Sequence, residues 1–515
     1  MLSGLLTALL AALRWLCSPL PLAAIVLLVG AVYYFLTKNF DFWKSRGVPG
    51  PRPCLPWGNE FGPPFSRMAE FDNWLYHKHG GKQFCGFFEL RKPVFFLGDL
   101  ELIRAITIKD FNHFTDQRDQ LGSEFFHEML IILKGAKWKE TRAVMSPTFS
   151  ASKLKAMHQL TLDNAQNLVQ HVHDQMADKG EAEIKDAFGR FSMDNIASCA
   201  FGINCNSFTD PKSKFATMSA TLSNFDILSM LQFMVEGILP AKITALIPTP
   251  VDKAGEFFRS VVLKTIAHRE KNPNPTRDFL QLLMDTKDKE GNRILSDSSI
   301  VAQSILFLFA GFDTTSTLMM FTAYCLALDQ EIQQRVQQEV DEAVERHGGL
   351  TYEAIMDMPY MDRVMSEALR LYPPAPRMER VCTKEYTLPG TDVVIPVGTL
   401  LAISVYSIHR DPEYYPDPLK LDPDRFLPEQ KEQRHPCAYM PFGSGPRNCI
   451  AMRFALFEAK LALVSLLREL TLKPTPQTPP HPAPLDKSTF LLCPEGGRLP
   501  LLAIRRKRLS QAGTD

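Results

Sequence analysis

The sequence predicts an α+β fold that is mainly helical, with small sheets and an additional apolar helix at the N-terminus. Helical periodicity dominates from about residue 120 to 375, and it resumes after Cys449. Residues that favour strands are confined to Phe84–Leu97 and to the region 380–440. No internal repeat of roughly 20–50 residues is apparent, which argues against a solenoid. We therefore expect a body in which a few short strands accompany many helices.

Composition narrows the class of protein. The 515 residues, 45% of them hydrophobic, can bury one large core or several smaller ones. The formal net charge is zero, which argues against nucleic acid as a partner. The ten cysteines include no C-x-x-C pair and no zinc-ribbon spacing. A disulfide framework is not expected, and a reducing compartment suits the set.

Residues 1–37 are predicted to be a membrane anchor. Residues 15–36 run almost without charge, which is long enough to cross a bilayer. Lys38, Lys44 and Arg46 follow, and the positive-inside rule places such charges in the cytosol. A cleaved signal peptide is the alternative, but no convincing small-residue cleavage site follows the apolar stretch. An uncleaved single-pass anchor is therefore favoured.

A basic, proline-rich hinge is predicted for residues 38–59. Its closely spaced prolines fix φ and stiffen the chain, so we expect a semi-rigid spacer that orients the body against the membrane. Residues 60–515 are predicted to form a single domain. Two of its segments stay ambiguous. Residues 225–250 are either a core helix or a second surface that touches the membrane, and Arg505–Arg508 is either a solvated tail or weakly attracted to anionic lipid.

The thiol of Cys449 lies at the tip of a Gly/Pro-rich loop that begins at Phe442. A helix-favouring run with apolar periodicity follows directly, from residue 450 to 460. The positive end of that helix dipole and the nearby Arg447 both favour the thiolate, which is the form that binds metal. A lone cysteine in a turn is more often a buried free thiol, but the whole pattern favours a ligand.

This loop resembles the haem-binding signature of the cytochromes P-450, the haem-thiolate monooxygenases, at Phe442, Gly445, Arg447 and Cys449. The resemblance implies a large helical domain, small β-sheets and one buried haem b. It also implies that the Cys449 thiolate is the axial iron ligand and favours O–O cleavage. The family usually has glycine two residues after the cysteine. Ala451 stands there in this chain, a difference that we expect to be tolerated.

A second motif, Ala310–Thr315, lies within the apolar run Ile300–Leu328. A helix is predicted, although Gly311 weakens it and the threonines can bond to main-chain carbonyl groups. Composition alone fits a satisfied polar kink as well as a functional site. The segment resembles the oxygen-activation segment of the same family. The resemblance implies that Thr314 hydrogen-bonds dioxygen or water over the iron and that Asp313 relays protons.

Further arginines and acids match family elements in the expected order. Glu367 and Arg370 form an (i, i+3) pair, a weak signal by itself because such pairs are common on surfaces. With Arg425 of a P-x-R-F segment, they resemble a buried structural triad. The resemblance also makes four residues candidate partners of the haem propionates. Planar guanidinium groups suit carboxylates, and the (i, i+4) spacing of Trp138 and Arg142 lets both face one ligand. They are Trp138, Arg142, Arg377 and Arg447, whereas His409 is expected to satisfy a local turn.

The chain shows no G-x-G-x-x-G after a strand, so its electrons must come from a partner. The resemblance implies NADPH as the donor, through NADPH–cytochrome P-450 reductase, with cytochrome b5 as a further candidate. A basic face is predicted to dock the acidic flavoprotein. Its candidate residues are Lys134, Lys137, Lys139, Arg434 and Arg453. The expected location is the endoplasmic reticulum membrane, with the catalytic domain facing the cytosol.

The leading hypothesis is a membrane-bound monooxygenase that inserts one oxygen atom of O₂ into a xenobiotic, steroid or fatty acid. Ser146–Phe149 and Pro446–Cys449 look closest to the animal clan that oxidises drugs and steroids. Two alternatives are a haem-thiolate peroxide isomerase or dehydratase and a non-catalytic haem-binding membrane protein. The candidate pocket walls are Phe111–Leu133, residues 225–250, Phe307–Thr315 and the segment after Arg377, whose apolar residues indicate a bulky lipophile.

Overall fold

The computed structural model describes residues 19–55, 57–59, 68–118, 127–223, 250–272, 278–486 and 491–506. The first half of the predicted anchor, nearly all of the ambiguous segment 225–250 and part of the candidate pocket wall at 119–126 lie outside these residues. The described helices are α1 (Pro19–Thr37), α2 (Met68–Lys78), α3 (Leu100–Arg104), α4 (Gly135–Met145), α5 (Ala151–Lys179), α6 (Ile184–Ile196), α7 (Lys214–Ser223), α8 (Pro250–Lys271), α9 (Phe279–Met284), α10 (Asp297–Leu328), α11 (Gln330–His347), α12 (Tyr352–Met356), α13 (Pro359–Leu371), α14 (Val405–Ile408), α15 (Pro428–Gln433) and α16 (Met452–Glu469).

The described strands form small sheets beside these helices. They are β1 (Phe84–Glu89), β2 (Lys92–Leu97), β3 (Ala182–Glu183), β4 (Arg377–Val381), β5 (Tyr386–Thr387), β6 (Val394–Ile395), β7 (Leu400–Ser404), β8 (Leu470–Pro474) and β9 (Pro500–Arg505). One sheet has the order β1-β2-β7-β4, in which β2 and β7 are parallel and the other pairs antiparallel. A second has the order β3-β9-β8, and a third pairs β5 with β6.

Helix α10 is the central element of the helical body. It begins at the N-cap Ser296, whose hydroxyl accepts the N–H of Ser299, and most of its residues are buried. Residues 300–308 belong to one hydrophobic core, with α6, α8 and α9, whereas residues 318–327 belong to another, with α5, α13 and α16. The polar segment between them, residues 309–317, therefore lies where the two cores meet.

The two most apolar long helices have different surroundings. Helix α1 has a mean hydropathy of 2.2 and no buried residue, which suits a membrane span. Helix α10 also passes a test of length and hydropathy, but 67% of its apolar window is buried, so it is a core helix. An apolar helix that the protein does not cover needs another apolar environment.

The predicted hinge packs against the body. Trp43 is 3% exposed, and its Nε1–H donates to the Phe87 carbonyl of β1 at 3.0 Å. The Arg91 guanidinium lies 3.8 Å from the ring centre of Phe35 in α1, and Asn39 donates to the Arg91 carbonyl at 3.1 Å. The boundary at residue 59 stays a prediction, but the residues around Trp43 are part of the sheet's core.

Candidate active site

A cavity of about 430 Å³ lies between α10, β4 and the loop that precedes α16. Apolar side chains such as Leu306, Phe307 and Phe454 make up most of its wall. Asp313 and the three predicted structural residues are not part of the lining. The predicted site residues that do line the cavity are Trp138, Arg142, Thr314, Arg377, Phe442, Arg447 and Cys449.

The loop that carries Cys449 is fixed by main-chain contacts. The Cys449 N–H donates to the Phe442 carbonyl at 2.8 Å, and the Asn448 N–H donates to the Gly445 carbonyl at 3.0 Å. Gly445 has a φ of 71°, and a Cβ there would lie 1.8 Å from the Thr107 carbonyl oxygen. Only glycine fits this position. The Cys449 side chain is exposed towards the cavity, although protein surrounds the loop.

The groups around the Cys449 sulfur have opposing effects on the pKa of its thiol. Burial raises the pKa of the thiol, whereas the N–H of Ala451 and the guanidinium of Arg142 act in the opposite direction. Ala451 immediately precedes α16, so its N–H supplies the predicted effect of a helix start. The prediction that Arg447 is the stabilising cation is wrong, because Arg142 is the arginine that acts on the sulfur. The Ala451 backbone has a φ of −94°, so its methyl group causes no backbone strain.

Arg142 and Arg447 both connect the cysteine loop to the rest of the body. Arg142 donates from Nη1 to the Asn448 carbonyl at 2.9 Å and from Nη2 to its Oδ1 at 2.7 Å. Arg447 donates to main-chain carbonyl groups between residues 115 and 133, at 2.6 to 3.2 Å. Its guanidinium carbon also lies 4.1 Å from the ring centre of Trp138. Arg447 thereby ties the loop to the chain segment beside α4.

The two arginines of β4 have different partners. Arg377, a predicted propionate ligand, is in a buried salt bridge, with Nη2 2.5 Å from Oδ1 of Asp72. Arg380, which the sequence analysis missed, is 1% exposed and has no carboxylate partner among the described residues. Its Nη groups donate to two main-chain carbonyls, but its Nε has no hydrogen-bond partner. Burial lowers the pKa of Arg380 to about 10. Arg380 therefore suits an incoming anion better than Arg377 does.

The oxygen-activation segment predicted in α10 stays helical. The Thr314 hydroxyl lines the cavity and donates to the Ala310 carbonyl at 2.6 Å. A Cβ at Gly311 would lie 3.0 Å from Cδ1 of Ile196, so glycine allows α10 and α6 to approach closely here. The segment thus brings a hydroxyl group and exposed main chain to an otherwise apolar wall.

Asp313 lies on another side of α10. Its side chain is not part of the cavity lining, whereas Thr314 is. Consecutive residues of a helix are about 100° apart, so Asp313 and Thr314 do not face the same way. The predicted acid and alcohol are separated in this structure, and proton relay by Asp313 stays a prediction.

Comparison with known proteins decides the family. The family model for cytochrome P450 matches residues 48–501 of the chain. The chain belongs to the cytochrome P450 family. Cytochrome P450 9e2 of Blattella germanica is 38% identical, over 92% of this chain and 96% of that protein. Probable cytochrome P450 6a13 of Drosophila melanogaster is 37% identical, over 93% and 98%. Cytochrome P450 3A41 of Mus musculus is 36% identical, over 89% of this chain and 91% of that protein.

These matches confirm the predicted recognition, fold class and enzyme class. The protein is a P450 oxidoreductase of the monooxygenase type, mainly helical with small sheets, and its relatives are insect and mammalian P450s. Membership implies haem, O₂-dependent monooxygenation, a redox partner and a lipophilic substrate in general terms.

The P450 cavity fits a dianionic haem. Arg142, Arg380 and Arg447 lie close together on its wall, and the proximity of Arg380 and Arg142 helps lower the pKa of Arg447 to about 9, after the larger effect of burial. The acid nearest to Arg447 is Asp116, at 3.9 Å. Two buried arginines, Arg380 and Arg447, and the half-buried Arg142 with so little countercharge suit two propionates. When bound through the Cys449 sulfur, haem would supply the iron that activates O₂.

The predicted P450 triad comes together behind the cysteine loop. Arg370 and Glu367 are fully buried and form a bidentate pair, with N–O distances of 2.6 and 2.7 Å. Arg425 Nε lies 3.5 Å from Oε1 of Glu367, and its Nη2 donates to the Pro416 carbonyl at 2.6 Å. Arg370 also donates to the carbonyls of His409 and Pro418, both at 2.8 Å. These bonds connect α13 to the chain that leads to the loop.

The sequence predicted that His409 satisfies a local turn, but in the structure it also contacts a distant segment. Its Nε2 accepts the N–H of Met440, just before the cysteine loop, at 2.9 Å. Burial lowers the pKa of His409 to about 3, so the ring is neutral and can accept this hydrogen bond. His409 does not line the cavity, in agreement with the expectation that it is not an iron ligand.

The predicted basic face is partly supported by exposure. Lys134, Lys137, Lys139 and Arg453 are exposed, and the lysines lie at or just before the start of α4, which also carries Arg142. Arg434 turns inward instead, because its guanidinium lies 4.5 Å from the ring centre of Tyr415. Arg434 is therefore the weakest member of the predicted set.

Proposed function

We propose that this P450 is a membrane-bound monooxygenase that inserts one oxygen atom of O₂ into a lipophilic substrate. The observation that carries the proposal is the joint lining of one cavity by the Cys449 thiol, the Thr314 hydroxyl and a cluster of arginines with little countercharge. In this arrangement Cys449 would bind the iron and the arginines would bind the propionates. Thr314 would hold a proton donor beside the oxygen. The apolar wall would exclude bulk water.

The substrate belongs to a broad class, namely xenobiotics, steroids or fatty acids. Leu130, Ile131, Phe279 and Phe307 contribute apolar surface to the cavity, and few polar groups there could fix the orientation of a hydrophilic compound. A bulky apolar molecule is what such a wall binds best.

The electrons are proposed to come from NADPH through cytochrome P450 reductase, with cytochrome b5 as a second donor. The exposed Lys137 and Lys139 lie on α4, the helix whose Arg142 bonds to Asn448, and the exposed Arg453 follows shortly after Cys449. An acidic partner docked on them would approach the sulfur side of the haem. Helix α1 would hold the protein in the endoplasmic reticulum membrane, with the body on the cytosolic side.

The first experiment tests the iron ligand. The reduced holoprotein with carbon monoxide should show the red-shifted Soret band of a thiolate-ligated haem, and Cys449→Ser should lose it. Cys437→Ser, a buried cysteine in the chain before the loop, is the matched control and should keep the band. A wild-type protein without this band contradicts the assignment of Cys449.

A second experiment separates monooxygenation from the alternatives. The holoprotein with reductase is screened against steroids, fatty acids and xenobiotics, with NADPH and O₂ omitted in turn. Products that need both cofactors support the proposal. Rearrangement of an organic hydroperoxide without NADPH would favour an isomerase or dehydratase, for which the position of Asp313 away from the cavity is the structural argument. No turnover under either condition would favour a non-catalytic protein.

A further inference from the structure

A buried carboxyl group lies behind the oxygen-activation segment and has no role in the proposed chemistry. Glu458 belongs to α16, the helix that begins just after the cysteine loop, and it is 1% exposed. Its Oε2 has no hydrogen-bond partner, although the nearby Asn195 amide favours the ionised form. A buried carboxylate with so few donors is costly, so the site favours the neutral acid.

Ser192 of α6 lies between this acid and the oxygen-activation segment. Its Oγ is 3.4 Å from Oε1 of Glu458 and also 3.4 Å from the carbonyl oxygen of Gly311. A serine hydroxyl carries only one proton and cannot donate to both acceptors at the same time. The protonation state of Glu458 therefore decides which acceptor receives it.

The two protonation states of Glu458 differ in whether the Gly311 carbonyl receives a hydrogen bond from Ser192. If Glu458 is ionised, the Ser192 proton goes to the carboxylate, and the Gly311 carbonyl loses its side-chain donor. If Glu458 is protonated, the acid donates to Ser192 Oγ, and Ser192 is free to donate to Gly311. The protonated state satisfies all three groups in one chain of hydrogen bonds, running from Glu458 through Ser192 to Gly311.

Among the described residues, no charged group contributes to the pKa shift of Glu458. On α16, Lys460 is 2.9 Å from Asp362 of α13, and Glu339 of α11 acts on Lys460 rather than on Glu458. The remaining titratable neighbours lie on α5, on the segment after α6, on α10 and on α12. They are His158 and Tyr352, which pack against Phe457, Cys199, whose thiol pKa is raised by burial and by Glu458, and Asp313, which acts on Cys493.

Burial is consequently the main influence on this acid. It raises the pKa of Glu458 to about 8, against smaller opposite effects of Asn195 and Ser192. At neutral pH the carboxyl group is mostly protonated, and it ionises as the pH rises through about 8.

We propose that Glu458 is a positioning residue for the oxygen-activation segment. In its protonated form it directs the Ser192 hydroxyl to the Gly311 carbonyl and so fixes the main chain beside Thr314. Ionisation of Glu458 releases that carbonyl and loosens the segment. The contacts involve only residues of this chain. The assignment of the segment to oxygen activation rests on the proposed function.

The first test observes the acid directly. Infrared difference spectra of the ferric holoprotein, wild type minus Glu458→Gln, are recorded from pH 6 to pH 9.5. We expect the carbonyl-stretch band of a protonated carboxylic acid at pH 6–7, with loss of the band at a midpoint near pH 8. A spectrum without this band at pH 6–7 overturns the proposal, whatever the protein's catalytic activity.

The second test observes the segment. Amide hydrogen exchange of residues 311–316 is compared among wild type, Glu458→Gln, Ser192→Ala and Ser304→Ala at equal pH. Ser304 is the control, because it is a fully buried serine of α10 whose hydroxyl has no hydrogen-bond partner. We expect several-fold faster exchange in Ser192→Ala than in Ser304→Ala.

Glu458→Gln provides the third comparison because glutamine donates at every pH. We expect this variant to protect the segment as wild type does at pH 7, and better than wild type at pH 9. Equal exchange in Ser192→Ala and Ser304→Ala, or no difference between Glu458→Gln and wild type at pH 9, contradicts the proposal. The exchange measurement does not depend on turnover, so failure of the proposed function would not be mistaken for failure of this inference.

Discussion

Two groups of buried charges in this P450 differ in how fully they are hydrogen-bonded. In the triad behind the cysteine loop, Arg370 has a bidentate carboxylate and three carbonyl partners. On the cavity wall and beside it, Arg380 keeps an unpaired Nε and Glu458 keeps an unpaired Oε2. The Glu367–Arg370 pair is complete without a ligand, whereas Arg380 and Glu458 keep atoms that a ligand or a proton would satisfy. Buried atoms without a partner also occur at Arg410 and at Nε of Arg425, so residual hydrogen-bonding capacity points to candidate functional charges but does not separate them from structural ones by itself.

Substitution of a paired charge in the triad should give the largest change in the free energy of unfolding. Arg370→Ala removes the bidentate partner of the buried Glu367 carboxylate and leaves it only the more distant Arg425 as a cation, so we expect a loss of about 3–5 kcal/mol in the free energy of unfolding. Urea denaturation of the holoprotein measures it. The control is Arg363→Ala on the same helix, whose partner Asp424 is half exposed, at a cost of about 0–1 kcal/mol. Equal losses in the two variants would contradict the description of Glu367 and Arg370 as a completed buried pair.

The unpaired acid should give a pH-dependent effect. Burial raises the pKa of Glu458 from its ordinary 4.5 to about 8, so the folded protein keeps a proton that the unfolded chain releases. This group's contribution to stability is therefore full below about pH 4.5, falls as the pH rises, and levels off above about pH 8. Its slope is at most about 1.4 kcal/mol per pH unit.

We expect Glu458→Gln to abolish this slope, so that the variant gains stability relative to wild type between pH 6 and pH 8, by up to about 2 kcal/mol. Urea denaturation at several pH values measures the difference. Glu432→Gln, an exposed acid of α15, is the control and should follow wild type at each pH. A pH-independent difference between Glu458→Gln and wild type would show that the buried carboxyl group does not titrate in this range.

The unpaired arginine should affect cofactor retention more than folding. Arg380→Gln removes a buried charge that has no acid partner, so the apoprotein should be as stable as wild type or more so. We expect haem to dissociate about tenfold faster, because a hydrogen bond to a charged group contributes about 1.5–3 kcal/mol. Haem transfer to apomyoglobin gives the rate. Arg377→Gln is the control from the same strand and should destabilise the apoprotein, since it leaves Asp72 buried without its partner.

The exposed charges should give the smallest effect. Lys137→Glu with Lys139→Glu should weaken reductase binding several-fold at low salt, with little difference at high salt, because surface charges are screened. Binding is measured by titration at two ionic strengths. The same reversals at Lys264 and Lys271, exposed lysines of α8, are the control. Unchanged affinity in the α4 variant would remove these lysines from the docking face.

Local patterns were sufficient to predict the class and the main site residues. The Cys449 loop, the segment Trp138–Arg142 and the segment around Thr314 are short motifs, and the structure brings them to one cavity. The separation of Asp313 from Thr314 was also predictable, because adjacent helical residues point about 100° apart. Strand alternation could likewise have separated Arg377 from Arg380, which lie on opposite faces of β4.

Other features depend on distant partners. The direction of Arg447 follows from carbonyl groups of residues 115–133, and the burial of Glu458 follows from the packing of α16 on α6 and α10. No periodicity in the neighbouring sequence reports such contacts. His409 is a similar case, since its partner Met440 lies in another turn of the chain.

The contacts that follow α1 have a mechanical consequence. Trp43 is inserted into the core of the first sheet, and the end of α1 is held by Arg91 of the β1–β2 hairpin. These contacts hold the end of α1 in a fixed orientation relative to the body. If α1 spans the bilayer, its tilt determines the angle and the depth at which the body lies on the lipid surface. The contacts of Trp43 would then determine the distance between the cavity and the bilayer that holds apolar substrates.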